Sequence, residues 1–358
     1  MYKMMTPGPT QVRENVRMAR SLEFQNPDLD ADFCEYYKET CLLASELLHT
    51  KNETLILDGE GILGLEAACA SITEPGDRVL VIDNGLYGES FKDFVTMYGG
   101  IPTLYTVDYD NPVDPEKLAE YLKEQHDFKY ATVVHCDTPS GMLNDISKIC
   151  PLLKSYGILT VVDSVSAMFG EEVRADDYRI DILCGGSQKA ISAPPGLTIV
   201  TISQDAKDVM NQRKTPISSF YANLKVFEHY YEEKWFPYTM PASDIYGLRQ
   251  ALENIKNDPE HLKRHEKVAE KTRTTLKEMG LTLYPHSGYS NTVTTFEVPE
   301  GFTDKEILSK MRNDYNILLA GSFGCFGGKL IRIGHMGESA NEKDVDEVLQ
   351  ALKEILKK

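Results

Sequence analysis

The chain has 358 residues, long enough at roughly 150 residues per domain for two domains and a sizeable buried core, which excludes a small module or peptide hormone. Lys and Arg total 38 against 55 Asp and Glu, a net charge of −17 that makes nucleic acid and anionic membrane surfaces poor partners. With 42% hydrophobic and 26% charged residues, the composition is that of a folded globular chain and not of a disordered or fibrous one.

The opening MYKMMTPGPT lacks the apolar middle of a signal peptide, and no run approaches the roughly 18 apolar residues of a membrane span. A cytoplasmic protein without membrane contact is expected. Seven widely spaced cysteines, at 34, 41, 69, 136, 150, 184 and 325, are odd in number and include no Cys-x-x-Cys pair. That pattern predicts neither a disulfide framework nor a metal cage, and reads as mostly buried thiols.

In chain order, six apolar runs then alternate with helical patterns: TLILD (54–58), RVLVID (78–83), ATVVH (131–135), ILTVVD (158–163), DILC (181–184) and LTIVTI (197–202). Strand alternating with helix predicts a mostly parallel sheet. The runs are continuous in apolar character, as in strands covered on both faces. Residues 203–260 change to polar helices and an aromatic stretch, HYYEEKWFPYTMP (229–241), with the single Trp. Beyond it come a charged helix near 261–279, strand candidates LTLY (281–284) and TVTTFEV (292–298), a helix near 303–314, LIRIG (330–334) and a final helix. In that last helix Val345, Val348, Leu349, Leu352, Ile355 and Leu356 recur at spacings of three and four and predict one inward stripe. The expectation is a large α/β domain over 15–255 and a smaller α+β domain formed by 1–14 and 256–358.

Ligands of open α/β sheets bind beyond the carboxyl ends of the strands, and three polar groups meet that condition. Gly59-Glu60-Gly61 joins TLILD to an apolar helix whose first turn offers free N–H groups to an anion; such turns also serve structure alone. Asp163 closes ILTVVD and, if buried, needs a cation such as a protonated heterocyclic nitrogen; alternatively it caps the next helix. Lys189 follows DILC-Gly185-Gly186-Ser187-Gln188 and precedes a Pro-rich turn. Desolvation there would lower its pKa and make its amine nucleophilic, whereas most lysines simply lie on the surface. An acid at one strand end and a lysine beyond the next suit pyridoxal phosphate (PLP), which asks for both.

Eight segments resemble, in the same order, the class V, fold-type I aminotransferases such as the alanine-glyoxylate and serine-pyruvate enzymes: TPGPTQV (6–12), GEGILGLEAA (59–68), EPGDRVLV (74–81), NGLYGESF (84–91), VVDSVSAMFG (161–170), GGSQKAISAPPGL (185–197), FPYTMP (236–241) and LIRIGHMG (330–337). The resemblance implies a PLP enzyme that passes an amino group from a small amino donor to pyruvate or glyoxylate. It makes Lys189 the Schiff-base lysine and Asp163 the partner of the pyridine nitrogen. Tyr87 takes the place of the aromatic stacked on the ring, Thr138 that of a donor near the phenolic oxygen, and Val165 that of a further cofactor contact. Glu60, Gly61, Ile62 and Gln188 fall at the phosphate, and Thr239 matches a phosphate contact from the neighbouring subunit, which implies a homodimer with a shared site. Arg332 matches the fork for the substrate carboxylate, with Gly8 beside it.

Several positions depart from that pattern. Glu60 stands where the family usually has Ser, and a carboxylate beside a phosphate costs on the order of 1 kcal/mol or more. GExxLGLEAA, Tyr87, DTPSG (137–141), APPGLT (193–198) and GKLxRIGHMG (328–337) resemble the branch that transaminates unphosphorylated pyridoxamine with pyruvate, whereas Gln188 and Phe323 stand where that branch has Asn and a second Arg. SLEFQNPDLDADF (21–33) replaces a Gly-His-Arg type sequence near the substrate entrance. Cys325, in GSFGCFGGK, is the one candidate for the mobile nucleophile of a desulfurase, and otherwise a small residue in a tight loop. A non-catalytic binder of the same fold has no need of Lys189 and Asp163 together.

Overall fold

The computed structural model describes residues 2–23 and 25–357; Met1, Phe24 and Lys358, which fall within the expected small domain and the 21–33 segment, lie outside the described residues. Seven strands build one sheet: β1 (Glu53–Asp58), β2 (Arg78–Asp83), β3 (Ile101–Thr106), β4 (Tyr130–Val134), β5 (Leu159–Asp163), β6 (Ile182–Gly186) and β7 (Leu197–Ile202). Their spatial order is β1-β7-β6-β5-β4-β2-β3. β7 runs antiparallel to both neighbours and the remaining pairs are parallel. The fold is the α/β class expected, with helices such as α1 (Gly61–Ile72) and α2 (Leu86–Met97) on the sheet faces.

β4 to β7 are buried along their whole length, which explains their unbroken apolar runs. β3 was not among the expected strands. It is the edge strand, has only half-buried and exposed residues, and carries Pro102, a residue tolerated where no neighbour needs its N–H.

The buried side chains form two main clusters. One holds the sheet, its helices and α3 (Ala242–Lys256), including Leu57, Val81, Val133, Val161, Leu183 and Leu248. The other holds Met5, Val268, Phe296, Ile331, Ile333 and Val348. It lies on a three-stranded antiparallel sheet of β8 (Val293–Glu297), β9 (Ala320–Gly321) and β10 (Leu330–Gly334), with β10 central. The helices α4 (His261–Glu278) and α5 (Glu342–Leu356) cover it, and α5 buries the expected stripe from Val345 to Leu356. Residues Lys3–Met4 pair in parallel with Ile317–Leu318, which ties the start of the chain to this cluster. LTLY forms no continuous strand: Leu283 makes an isolated antiparallel bridge to Phe296, flanked by two backbone hydrogen bonds, from the Tyr284 N–H to the Thr295 carbonyl and from the Glu297 N–H to the Thr282 carbonyl, and the pairing goes no further. Among the described residues no helix is long and apolar enough to cross a membrane.

Candidate active site

Register decides which loops meet. Asp163 ends β5 opposite Val134 of β4 and Cys184 of β6, while Gly186 and Asp58 both face the start of β7. The segments after β1, β4, β5 and β6 therefore emerge along one edge of the sheet. They enclose a cavity of about 210 Å³ lined by Gly8, Glu60, Ile62, Tyr87, Thr138, Asp163, Val165, Gln188 and Lys189, among others. A cavity of ~150 Å³ can hold a benzene ring, so one planar heterocycle fits. A larger, open groove of about 950 Å³ elsewhere on the molecule contains none of the candidate residues.

At one end of the cavity two ionisable groups face each other without forming an ion pair. Asp163 is buried and accepts a hydrogen bond from the Val165 N–H at 2.9 Å. It thus caps the turn after β5 while still bordering the cavity. Burial, only partly offset by that N–H and by the Lys189 charge, pushes its carboxyl up to about 7. Lys189 donates to the Pro7 carbonyl, and burial, reinforced by the Arg332 charge, lowers its amine to about 8. Gly8, at φ +95°, allows this approach: a Cβ there would lie 2.5–2.9 Å from the Lys189 side chain, and L-residues avoid that backbone region. The Thr138 hydroxyl borders the cavity with no hydrogen bond to the described residues.

The other end is already filled. Glu60 caps the helix α1 (Gly61–Ile72), its Oε1 accepting from the Ile62 N–H at 3.0 Å. Its Oε2 accepts from Gln188 Nε2 at 2.9 Å, and Gln188 Oε1 is left buried without a partner. A carboxylate thus occupies the positive end of the helix. Gly61 lets Val165 pack close, since a Cβ would meet the Val165 side chain at 2.7 Å.

Four candidates lie outside the cavity lining: Gly61, just described, and Arg332, Thr239 and Cys325. Arg332 is on β10, between the inward-facing Ile331 and Ile333, so strand alternation turns it to the opposite face. Its Nε and Nη2 both donate to the Gly321 carbonyl, at 2.9 and 2.7 Å, which leaves the Nη1 end of the guanidinium free. Thr239 donates to Asp28 at 2.8 Å and is not among the residues lining its own cavity. Cys325 is exposed while the other six cysteines are buried. Asp137 was overlooked in the sequence. It is fully buried, accepts from the Tyr87 N–H at 3.1 Å and from Ser140 Oγ at 2.6 Å, and so fixes both Tyr87 and the Thr138 loop. The signal was present: a carboxylate just past a buried strand, the criterion that picked out Asp163.

The sequence pattern of the family "Aminotransferase class-V" matches residues 17–346. An uncharacterized aminotransferase of Methanocaldococcus jannaschii is 35% identical over 99% of this chain and 92% of its own. The pyridoxamine–pyruvate transaminase of Mesorhizobium japonicum is 34% identical over 94% and 86%. Among solved structures, the ureidoglycine-glyoxylate aminotransferase of Bacillus subtilis superposes with a TM-score of 0.95 at 30% identity, covering 99% of this chain and 93% of that one. The residues present fit the ring of PLP, offering a lysine of lowered pKa and a buried carboxylate with no cation of its own. At the phosphate end the same fit requires Glu60 to yield two donors. By family match, full-length similarity and fold, the chain belongs to the PLP-dependent class V aminotransferases.

Proposed function

We propose that this enzyme passes an amino group from a small amino acid to pyruvate or glyoxylate. The observation that carries the reading is the pair formed by Lys189, with its lowered pKa, and Asp163, buried without a cation, on one ring-sized cavity. Bound PLP supplies an aldehyde for amines and a ring that draws electrons from the donor α-carbon. Lys189 would hold the aldehyde carbon through its amine and would carry the donor α-proton. Asp163 keeps a proton on the ring nitrogen, as a buried carboxylate gains most by pairing with a cation. Tyr87 and Val165, both on the cavity wall, would hold the ring, a stacked aromatic contributing about 0.5–1.5 kcal/mol. Thr138 donates to the phenolic oxygen.

The free end of Arg332 grips the donor carboxylate beside Gly8, in a two-point geometry that lysine cannot reproduce. Gly61, Ile62 and Gln188 hold the phosphate when Glu60 swings aside. Thr239 completes this end from a second copy of the chain. Exposed Phe220 and Tyr221, whose rings meet edge to face, support such a homodimer, because contiguous exposed apolar surface often marks a contact. Alanine, glycine and serine offered with glyoxylate or pyruvate, with and without added PLP, test the reaction. Glycine formed from alanine and glyoxylate is the expected product; no nitrogen transfer to either acceptor would sink the proposal.

A second reading is favoured by Glu60, whose carboxylate already takes the Ile62 N–H and the Gln188 amide. In it, unphosphorylated pyridoxamine is the amino donor and pyruvate the acceptor. Mass spectrometry of the isolated protein separates the two. A stoichiometric phosphate-bearing adduct counts against this reading, and pyridoxal formed from added pyridoxamine and pyruvate counts for it.

A further inference from the structure

A donor amino acid bound as described has its carboxylate at Arg332 and its amine toward Lys189, so its side chain leaves through the remaining opening. Phe323 does not line the cavity itself but stands beside both Tyr87, which does, and Arg332. Its ring centroid is 6.2 Å from that of Tyr87, edge to face, and 5.6 Å from the Arg332 guanidinium carbon. The ring is 45% exposed, yet its backbone is pinned on both sides. Ser322 Oγ donates to the Pro139 carbonyl at 2.8 Å. Phe326 is buried against Tyr284 and Tyr109, at centroid distances of 5.1 and 6.1 Å. Gly324 is pressed so closely on Leu86 that a Cβ would come within 2.9 Å.

Charge narrows the choice of substrate. Glu60 and Asp163 are carboxylates on the cavity wall, and Lys189 is the only cation lining it among the described residues. With Arg332 engaged by the α-carboxylate and Lys189 by the amine side, a second anionic group on the cavity wall finds aromatic surface and carboxylates, and the Lys329 ammonium of the Phe323 loop is already held by the Cys325 carbonyl at 2.9 Å. We propose that Phe323 is the specificity-determining residue for the donor side chain, admitting small uncharged groups and rejecting dicarboxylates. The proposal rests on the orientation of the donor inferred above.

Non-reacting carboxylates test it apart from turnover. Calorimetric titration of the cofactor-loaded protein with propionate and with succinate should show propionate bound at least ~10-fold more tightly, and Phe323→Arg should change that ratio by ~10-fold or more in favour of succinate. A ratio that moves less than twofold in a folded Phe323→Arg protein overturns the assignment. Phe323→Ala provides a second reading: it should raise KM for alanine several-fold more than it lowers kcat, and raise relative kcat/KM for leucine over alanine by ~5-fold. An unchanged leucine-to-alanine ratio also overturns it. If no donor is turned over while the propionate–succinate preference still switches, the proposed reaction falls and the role of Phe323 stands.

Discussion

The two ends of the cavity handle charge in opposite ways. At the ring end Asp163 and Lys189 are enclosed without forming an ion pair, and burial drives both toward neutrality, to about 7 and about 8. At the tail end Glu60 is matched by the Ile62 N–H and the Gln188 amide. The first arrangement costs stability in the empty protein and is relieved by a ligand with a cationic ring and a reactive carbonyl. The second is locally satisfied, so an anionic ligand must displace an internal one. A single helix N-terminus can therefore be an anion site by geometry and be closed by its own capping residue.

The strongest way to break the comparison is at Lys189. Lys189→Ala should lower nitrogen transfer by at least ~10³-fold, measured by single-turnover loss of the donor, with the protein still folded. In the wild-type chain the proposed nucleophile is the free amine of Lys189, so capture of an added aldehyde should accelerate as pH rises to about 8 and then level off. A rate still climbing steeply at pH 10 would show an ordinary lysine.

Asp163→Asn should slow donor deprotonation by ~10²–10³-fold, as expected when a charge facing the transition state is lost, with a smaller effect on KM. The same variant tests the electrostatic cost. A carboxyl raised to about 7 when folded, from an ordinary 3.8, binds more protons folded than unfolded between these values. Stability of the cofactor-free protein should thus fall as pH rises from about 4 to 7. Glu171, a buried carboxyl also raised to about 7 by desolvation, contributes a similar fall. Asp163→Asn should therefore flatten the melting-temperature profile only in part, and an unaltered profile would contradict the burial argument.

Gly8→Ala should slow turnover by ~10-fold or more, because the added methyl displaces the Lys189 side chain it would touch and small misplacements of reacting groups are costly. Normal kinetics in that variant would mean Lys189 works from another position. The smallest effect sharpens the tail end. Glu60→Ser frees the helix N-terminus, and removing a repulsion of about 1 kcal/mol should raise affinity for PLP over pyridoxal by ~5-fold, read by equilibrium dialysis. No change in that ratio would mean that Glu60 swings aside without cost.

Much of this site was legible in the sequence, for reasons that differ from residue to residue. Asp163 and Lys189 follow unbroken apolar runs, and the end of such a run is the rim of a buried parallel sheet. Asp137 meets the same criterion yet stands out less, since its partners are the Tyr87 N–H in the first turn of the helix Leu86–Met97 and Ser140 in its own turn, contacts that leave no periodic trace. β3 escaped for another reason: an edge strand needs one paired side only and can keep exposed residues and a proline.

The order of strand and helix, the inward stripe of α5 and the identity of the acid and the lysine were set by local pattern, because burial imposes a period on the chain. That Glu60 folds back on Ile62 and Gln188, that Phe323 stands between Tyr87 and Arg332, and that Arg332 spends one edge on the Gly321 carbonyl were decided only by the tertiary structure. Each of these depends on where segments distant in the chain converge, and neither composition nor periodicity carries that distance.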